Sequence, residues 1–83
     1  MHQTLDEIAQ AINEGDFKEA EKLYLKLQTE VKTVNLEFDP RTGYTEDLFY
    51  DWMDTLNKSI KERNITNALE AQSAVYEMLD VLM

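Results

Sequence analysis

Apolar side chains recur every three or four residues along almost the whole chain, which is the spacing of one face of an α-helix. Four such stretches follow one another, and none shows the strict alternation of a β-strand. Their apolar members are Leu5, Ile8, Ala9 and Ile12; Phe17, Ala20, Leu23, Tyr24, Leu27, Val31 and Val34; Phe49, Met53, Leu56 and Ile60; and Ile65, Ala68, Leu69, Val75, Leu79 and Leu82. The sequence therefore predicts an all-α fold of four helices.

Short polar residues stand before these stretches, as N-cap residues do, because their side chains accept hydrogen bonds from free backbone N–H groups. The predicted caps are Thr4 (with Glu7 in capping-box spacing), Asp16 (with Glu19), Thr45 and Asn64. Gly15 suits the left-handed position that ends a helix. The only Pro, Pro40, lies close to Gly43 and predicts a loop at about 36–44.

The two halves of the chain repeat each other when one is shifted by 48 positions, which brings Leu5 onto Met53. The further matched pairs are Ile8 and Leu56, Ile12 and Ile60, Asp16 and Asn64, Phe17 and Ile65, Ala20 and Ala68, Leu27 and Val75, and Val31 and Leu79. Apolar and capping positions coincide, whereas surface residues do not. We therefore expect one domain, 1–83, built as a small bundle of two αα-hairpins joined by the loop.

The first hairpin has the spacing Gly15, Asp16, Phe17, Ala20 and Tyr24. This segment, residues 5–27, resembles the helix-turn-helix of a tetratricopeptide repeat, in which a small residue lets the helices approach and an aromatic fills the groove. The second hairpin departs from that pattern, since it has Gln72 where an aromatic belongs, and Thr4 stands where the family has a large aromatic. The resemblance implies a groove that binds other proteins rather than a catalytic site.

The charge is strongly negative, with 17 acidic against 8 basic residues and a net charge of −9. Such a chain repels phosphate backbones and anionic lipids, so we expect neither direct nucleic-acid binding nor membrane binding. The N-terminal stretch lacks the basic and apolar regions of a signal peptide, and there is no Cys. We expect a cytoplasmic protein whose partner is a protein, and a basic one.

Chemistry-bearing residues are sparse. His2 is the only His and lies at the N-terminus, so no nucleophile, base and orienting group can be assembled. Neither phosphate-binding or dinucleotide motifs nor His or Cys ligand spacings occur, and Asp39 to Asp47 lacks the ligand order of a calcium loop. We therefore predict no enzyme activity, no catalytic residue, no cofactor and no metal site.

The most distinctive composition lies in the third helix. Asp47, Asp51 and Asp54 recur at helical spacing and form an acidic stripe, and the aromatic residues Tyr50 and Trp52 lie off the inner face. A solvated face with Trp52 half-buried is the simpler interpretation. The functional interpretation is a partner-binding surface in which aromatic anchors lie among carboxylates.

Two functional hypotheses follow. The first is a small acidic protein-interaction module, an adaptor, co-chaperone or inhibitor, that binds its partner through a helical groove or the acidic-aromatic residues. The second is an acidic mimic of nucleic acid that inhibits a DNA- or RNA-binding protein, as mobile-element and viral inhibitors do. A homodimer is left open by the basic stripe of Lys18, Lys22 and Lys26 and by apolar residues outside the inner faces: Leu25, Tyr76, Met78 and 81–83.

Overall fold

The computed structural model describes residues 1–82. It contains four α-helices: α1 (His2–Asn13), α2 (Phe17–Thr33), α3 (Glu46–Lys61) and α4 (Ile65–Leu82), with a short 3₁₀ turn at Pro40–Thr42 between α2 and α3. Within these described residues there is no β-strand, and a single bridge joins Asp39 to Tyr44 in the loop. The predicted all-α fold of four helices is confirmed.

The two interhelical turns have the same backbone geometry. In the first, Gly15 N–H donates to the Ile12 carbonyl (3.0 Å) and Asp16 N–H donates to the Ala11 carbonyl (2.8 Å). In the second, Arg63 N–H donates to Ile60 (3.1 Å) and Asn64 N–H to Ser59 (2.9 Å). Both are Schellman motifs, in which the residue after the helix adopts a left-handed conformation. The donors and acceptors are related by the 48-position shift.

The residues that follow these turns cap the next helix in equivalent ways. Asp16 Oδ1 accepts from Glu19 N–H (3.2 Å), and Asn64 Oδ1 accepts from Asn67 N–H (3.1 Å). Thr45 likewise caps α3 through Leu48 N–H (3.2 Å). These three predicted caps are confirmed, because each side chain satisfies a backbone donor that the helix leaves free.

The predicted cap at Thr4 is wrong. Helix α1 begins at His2, and Thr4 is 2% exposed within its first turn. Its hydroxyl donates to Glu30 Oε1 of α2 (2.7 Å), while Glu7 accepts from Gln3. Thr4 lies one turn before Ile8 on the inner face, so its hydroxyl joins two helices instead of closing the end of one.

Each helix contributes one apolar face to a shared core. The fully buried large side chains are Leu5, Ile8, Ile12, Leu27, Phe49, Leu56, Ile60, Val75 and Leu79. Ile65 was predicted to belong to this core but, as the first residue of α4, is 45% exposed. Met78, predicted as exposed apolar surface, is 2% exposed; Met83 lies outside the described residues.

The helices form a ring in which each packs against its two neighbours. Contacts are most extensive between α3 and α4 and between α1 and α2, which are the two predicted hairpins; α1 also packs against α4, and α2 packs least closely against α3. Neighbours run antiparallel, since His2 at the start of α1 lies beside Asp80 near the end of α4. The segment from 34 to 45 connects the hairpins. No helix in residues 1–82 is long and apolar enough to cross a membrane.

Candidate functional site: the face between α2 and α3

A groove runs along the loosely packed contact between α2 and α3. Its floor is formed by Tyr24, Val31 and Met53, which are buried. Its two walls carry exposed or half-exposed residues at the same spacing of four, three and four positions. We call these walls together the α2/α3 face, and they consist of Glu21, Leu25, Gln28 and Lys32 on α2 and Tyr50, Asp54, Asn57 and Lys61 on α3.

The structure brings four of the five predicted partner-binding residues to one side of α3. Tyr50, 47% exposed, and Asp54 line the groove, and the exposed Asp47 and Asp51 continue around the outer side of the helix. Trp52 is separated from them. It is two residues after Tyr50, which places it about 200° further around the helix, and it is half-buried against the core. Its position matches the simpler interpretation of this segment.

In the other contact between the two hairpins, side chains of α1 and α4 interact directly with each other. Gln72 Nε2 donates to the Leu5 carbonyl (2.9 Å) in a buried position. His2 Nε2 lies 2.8 Å from Asp80 Oδ1, and the His2 ring meets Tyr76 edge-on with centroids 4.5 Å apart. These contacts join α1 to three successive turns of α4, at Gln72, Tyr76 and Asp80.

The equivalent positions between α2 and α3 carry different side chains. The 48-position shift relates Tyr24 to Gln72, Gln28 to Tyr76, Lys32 to Asp80 and Tyr50 to His2. Within the described residues, no side-chain hydrogen bond or ion pair joins α2 to α3. Both sides of the molecule carry a pocket, since Asp6, Ala9 and Tyr76 line one between α1 and α4. The repeat thus differs in its cross-links: side chains join α1 to α4, whereas none joins α2 to α3 within the described residues.

The groove also contains one perturbed ionisable group. Burial raises the pKa of Tyr24 above its ordinary value of 10.0, and the nearby Asp54 carboxylate raises this pKa further. Tyr24 is therefore a neutral phenol at physiological pH, with a carboxylate beside it. The Asp54 carboxylate can accept a hydrogen bond from a donor that enters the groove.

The loop between the hairpins is held locally. Arg41 pairs with Asp39 through its guanidinium (3.0 Å), and these hydrogen bonds hold the pKa of Asp39 below its ordinary value.

Nowhere in residues 1–82 do three or more His, Asp or Glu side chains come together as a metal-binding group would require.

Sequence reasoning missed the α2 wall of the face. Leu25 is the most exposed large apolar residue of the described chain, at 62%. Its relation to Glu21, Gln28 and Lys32 is visible in their spacing, but that spacing alone does not say which neighbouring helix the stripe lies beside.

Comparison of the chain with protein-family models, with curated proteins and with solved structures finds no match. The tetratricopeptide-like character of the first hairpin stays a prediction.

Proposed function

We propose that this chain is a small acidic protein-interaction module that binds a protein partner on the α2/α3 face. The observation that carries the proposal is the open groove between α2 and α3, with an exposed aromatic side chain, Tyr50, at its edge. Aromatic residues beside a groove are typical anchors of protein interfaces. Whether the module acts as an adaptor, a co-chaperone or an inhibitor depends on the partner.

A basic partner fits the α3 side of this face. Asp47, Asp51 and Asp54 are exposed along one side of the helix, and none of them has an ion-pair partner within the part of the chain described. Carboxylates in such an array steer and orient positively charged surfaces. The partner would place a large apolar side chain against Tyr50 and a basic side chain near Asp54.

The test is comparative affinity capture from a lysate, with quantitative mass spectrometry. Tyr50→Ala combined with Asp54→Asn should reduce recovery of the partner at least about tenfold, since an interface anchor and a charge are both lost. The matched control combines Ile65→Ala, an equally exposed apolar position, with Asp6→Asn, the counterpart of Asp54 beside α4. Equal recovery with both double variants, or equal loss, contradicts the proposed site.

The nucleic-acid mimic is a second candidate because only one of the 17 acidic residues, Asp39, pairs with a Lys or Arg side chain in the described chain. A mimic uses carboxylates spread widely over its surface, whereas a groove binder uses those at its groove. Charge reversal at Glu70 and Glu77, which lie on α4, distinguishes the two. A mimic loses its target and shows steep salt dependence; a groove binder keeps its partner.

A further inference from the structure

We propose that a second copy of this chain covers the α2/α3 face when no other partner occupies it, with the two α2 helices antiparallel. This inference rests on the proposed function only in taking the α2/α3 face as the contact surface. The inference concerns the α2 wall, which lies outside the acidic stripe of α3 and consists of Glu21, Leu25, Gln28 and Lys32.

The α2 wall is complementary to itself in the antiparallel direction. Positions equally distant from its centre come together when a second α2 is laid against it, so Glu21 meets Lys32 of the second copy and Leu25 meets Gln28. Each contact occurs twice, because a two-fold interface repeats every pair. The Glu21–Lys32 pairs join opposite charges, and the two exposed Leu25 side chains lie one turn apart at the centre.

The α3 wall is compatible with the same arrangement. Its residues Tyr50, Asp54, Asn57 and Lys61 have the same spacing, so the antiparallel copy brings Asn57 opposite Asp54 and Lys61 opposite Tyr50. The Asn57 amide can donate to the Asp54 carboxylate, and the Lys61 ammonium can lie beside the Tyr50 phenol. No pair in this arrangement sets two like charges against each other.

Charge distribution favours this face over the rest of the surface for self-association. The whole chain carries a net charge of −9, so most faces of two copies repel each other. The α2/α3 face instead carries two acids, Glu21 and Asp54, and two bases, Lys32 and Lys61. It also holds two exposed large side chains, Leu25 at 62% and Tyr50 at 47%.

Glu21 and Lys32 cannot satisfy each other within one chain. They are eleven residues apart on the same helix, which is about 16 Å along its axis, and neither makes an ion pair within residues 1–82. Complementary charges that are too far apart to pair in one molecule can pair between two. Exchanging the charges of Glu21 and Lys32 therefore tests contacts between two copies without breaking an ion pair within one chain.

The experiment measures the mass of the purified full chain by sedimentation equilibrium across a concentration series, with circular dichroism to check folding. We expect twice the 9.7 kDa of one chain at high concentration. Lys32→Glu and Glu21→Lys should each raise the dissociation constant at least about tenfold, since each places two like-charge pairs in the interface. The combination E21K/K32E should restore association, because every contact again joins opposite charges.

Lys26→Glu is the matched control, since it makes the same charge change on the solvent side of α2 and should leave the dissociation constant unchanged. A wild-type chain that remains monomeric up to about 1 mM, equal effects of K26E and K32E, or a failure of E21K/K32E to regain association overturns the inference. A monomer that still captures a partner through Tyr50 and Asp54 overturns this inference alone, whereas a dimer that captures nothing contradicts the proposed partner binding instead.

Discussion

Tyr24 is a buried residue whose pKa differs between the folded and the unfolded chain. Its ring forms part of the groove floor and its hydroxyl lies near Asp54, so both burial and the carboxylate disfavour the phenolate. At the equivalent position of the second hairpin, Gln72 donates across to Leu5 instead. Gln72 therefore joins its two helices by a hydrogen bond, whereas Tyr24 makes no such bond to α3 in the part of the chain described.

The raised pKa of Tyr24 predicts a loss of stability in alkaline solution. Well below pH 10.0 the phenol is protonated in both states, so its contribution is fully present. As the pH rises further the unfolded chain releases this proton first, and the free energy of unfolding falls through the folded-state pKa. Urea denaturation near neutral pH and above pH about 10 should show a smaller fall for Tyr24→Phe.

Asp54→Asn provides the intermediate case for this test. It removes the second cause of the shift and leaves burial, so its alkaline loss of stability should lie between those of the wild type and Tyr24→Phe. Comparing each protein with itself at two pH values removes the effect of either substitution at neutral pH. An unchanged pH dependence in Tyr24→Phe would show that other groups cause the alkaline unfolding.

At the scale of elements, the two turns are equivalent in hydrogen bonding but differ in the residue that adopts positive φ. Gly15 has a φ of 75° and Arg63 a φ of 57°. A left-handed conformation costs a residue with a side chain about 1 kcal/mol more than it costs glycine. We therefore expect Arg63→Gly to be more stable than Arg63→Ala by about 1 kcal/mol in chemical denaturation.

The Arg63→Ala reference keeps the β-carbon and removes the charge, so the comparison isolates the backbone effect. The reverse change, Gly15→Ala, should destabilise the chain by about 1 kcal/mol. A β-carbon at Gly15 meets no atom within 4 Å, so crowding does not contribute there. Equal stabilities of the Gly and Ala variants at position 63 would show that the turn relaxes at no cost.

Elements were predictable from the sequence wherever a local signal decides them. Periodicity and the caps Asp16, Thr45 and Asn64 located the helices, because capping is a contact between residues close in sequence. The predicted cap at Thr4 was wrong because its hydroxyl forms a tertiary hydrogen bond with Glu30 instead of a local cap. The sequence predicted which acidic residues share one side of α3. It did not separate Trp52 from Tyr50, because that requires knowing which neighbour each side of the helix faces.

The whole molecule combines two similar hairpins into a structure with unequal sides. The substitutions that produce this difference are few. The α2/α3 side has Tyr24, Lys32 and Tyr50 at the positions where Gln72, Asp80 and His2 make contacts between α1 and α4. None of these can be interpreted from sequence alone, because each depends on which helices become neighbours. Placing the halves together joins α1 to α4 through polar side chains and, among the described residues, leaves a groove without such contacts between α2 and α3.

Net charge acts on the whole molecule and predicts how stability responds to salt. The chain carries nine excess negative charges, and in residues 1–82 only one carboxylate, that of Asp39, pairs with a Lys or Arg side chain. Folding therefore brings repelling charges together more than it forms attractive pairs. The free energy of unfolding should increase with sodium chloride as the screening length falls from about 30 Å at 0.01 M to about 3 Å at 1 M.

Denaturation is best measured on Lys32→Glu at low concentration, where self-association does not add to stability. On that background, Asp51→Asn, Glu70→Gln and Glu77→Gln remove three negative charges at exposed positions outside the first turns of their helices. The variant with fewer charges should gain less from added salt, because there is less repulsion to screen. A free energy of unfolding that decreases with salt in both proteins would mean that attractive charge pairs dominate. The acidic residues would then stabilise the fold, and their number would not support recognition of a basic partner.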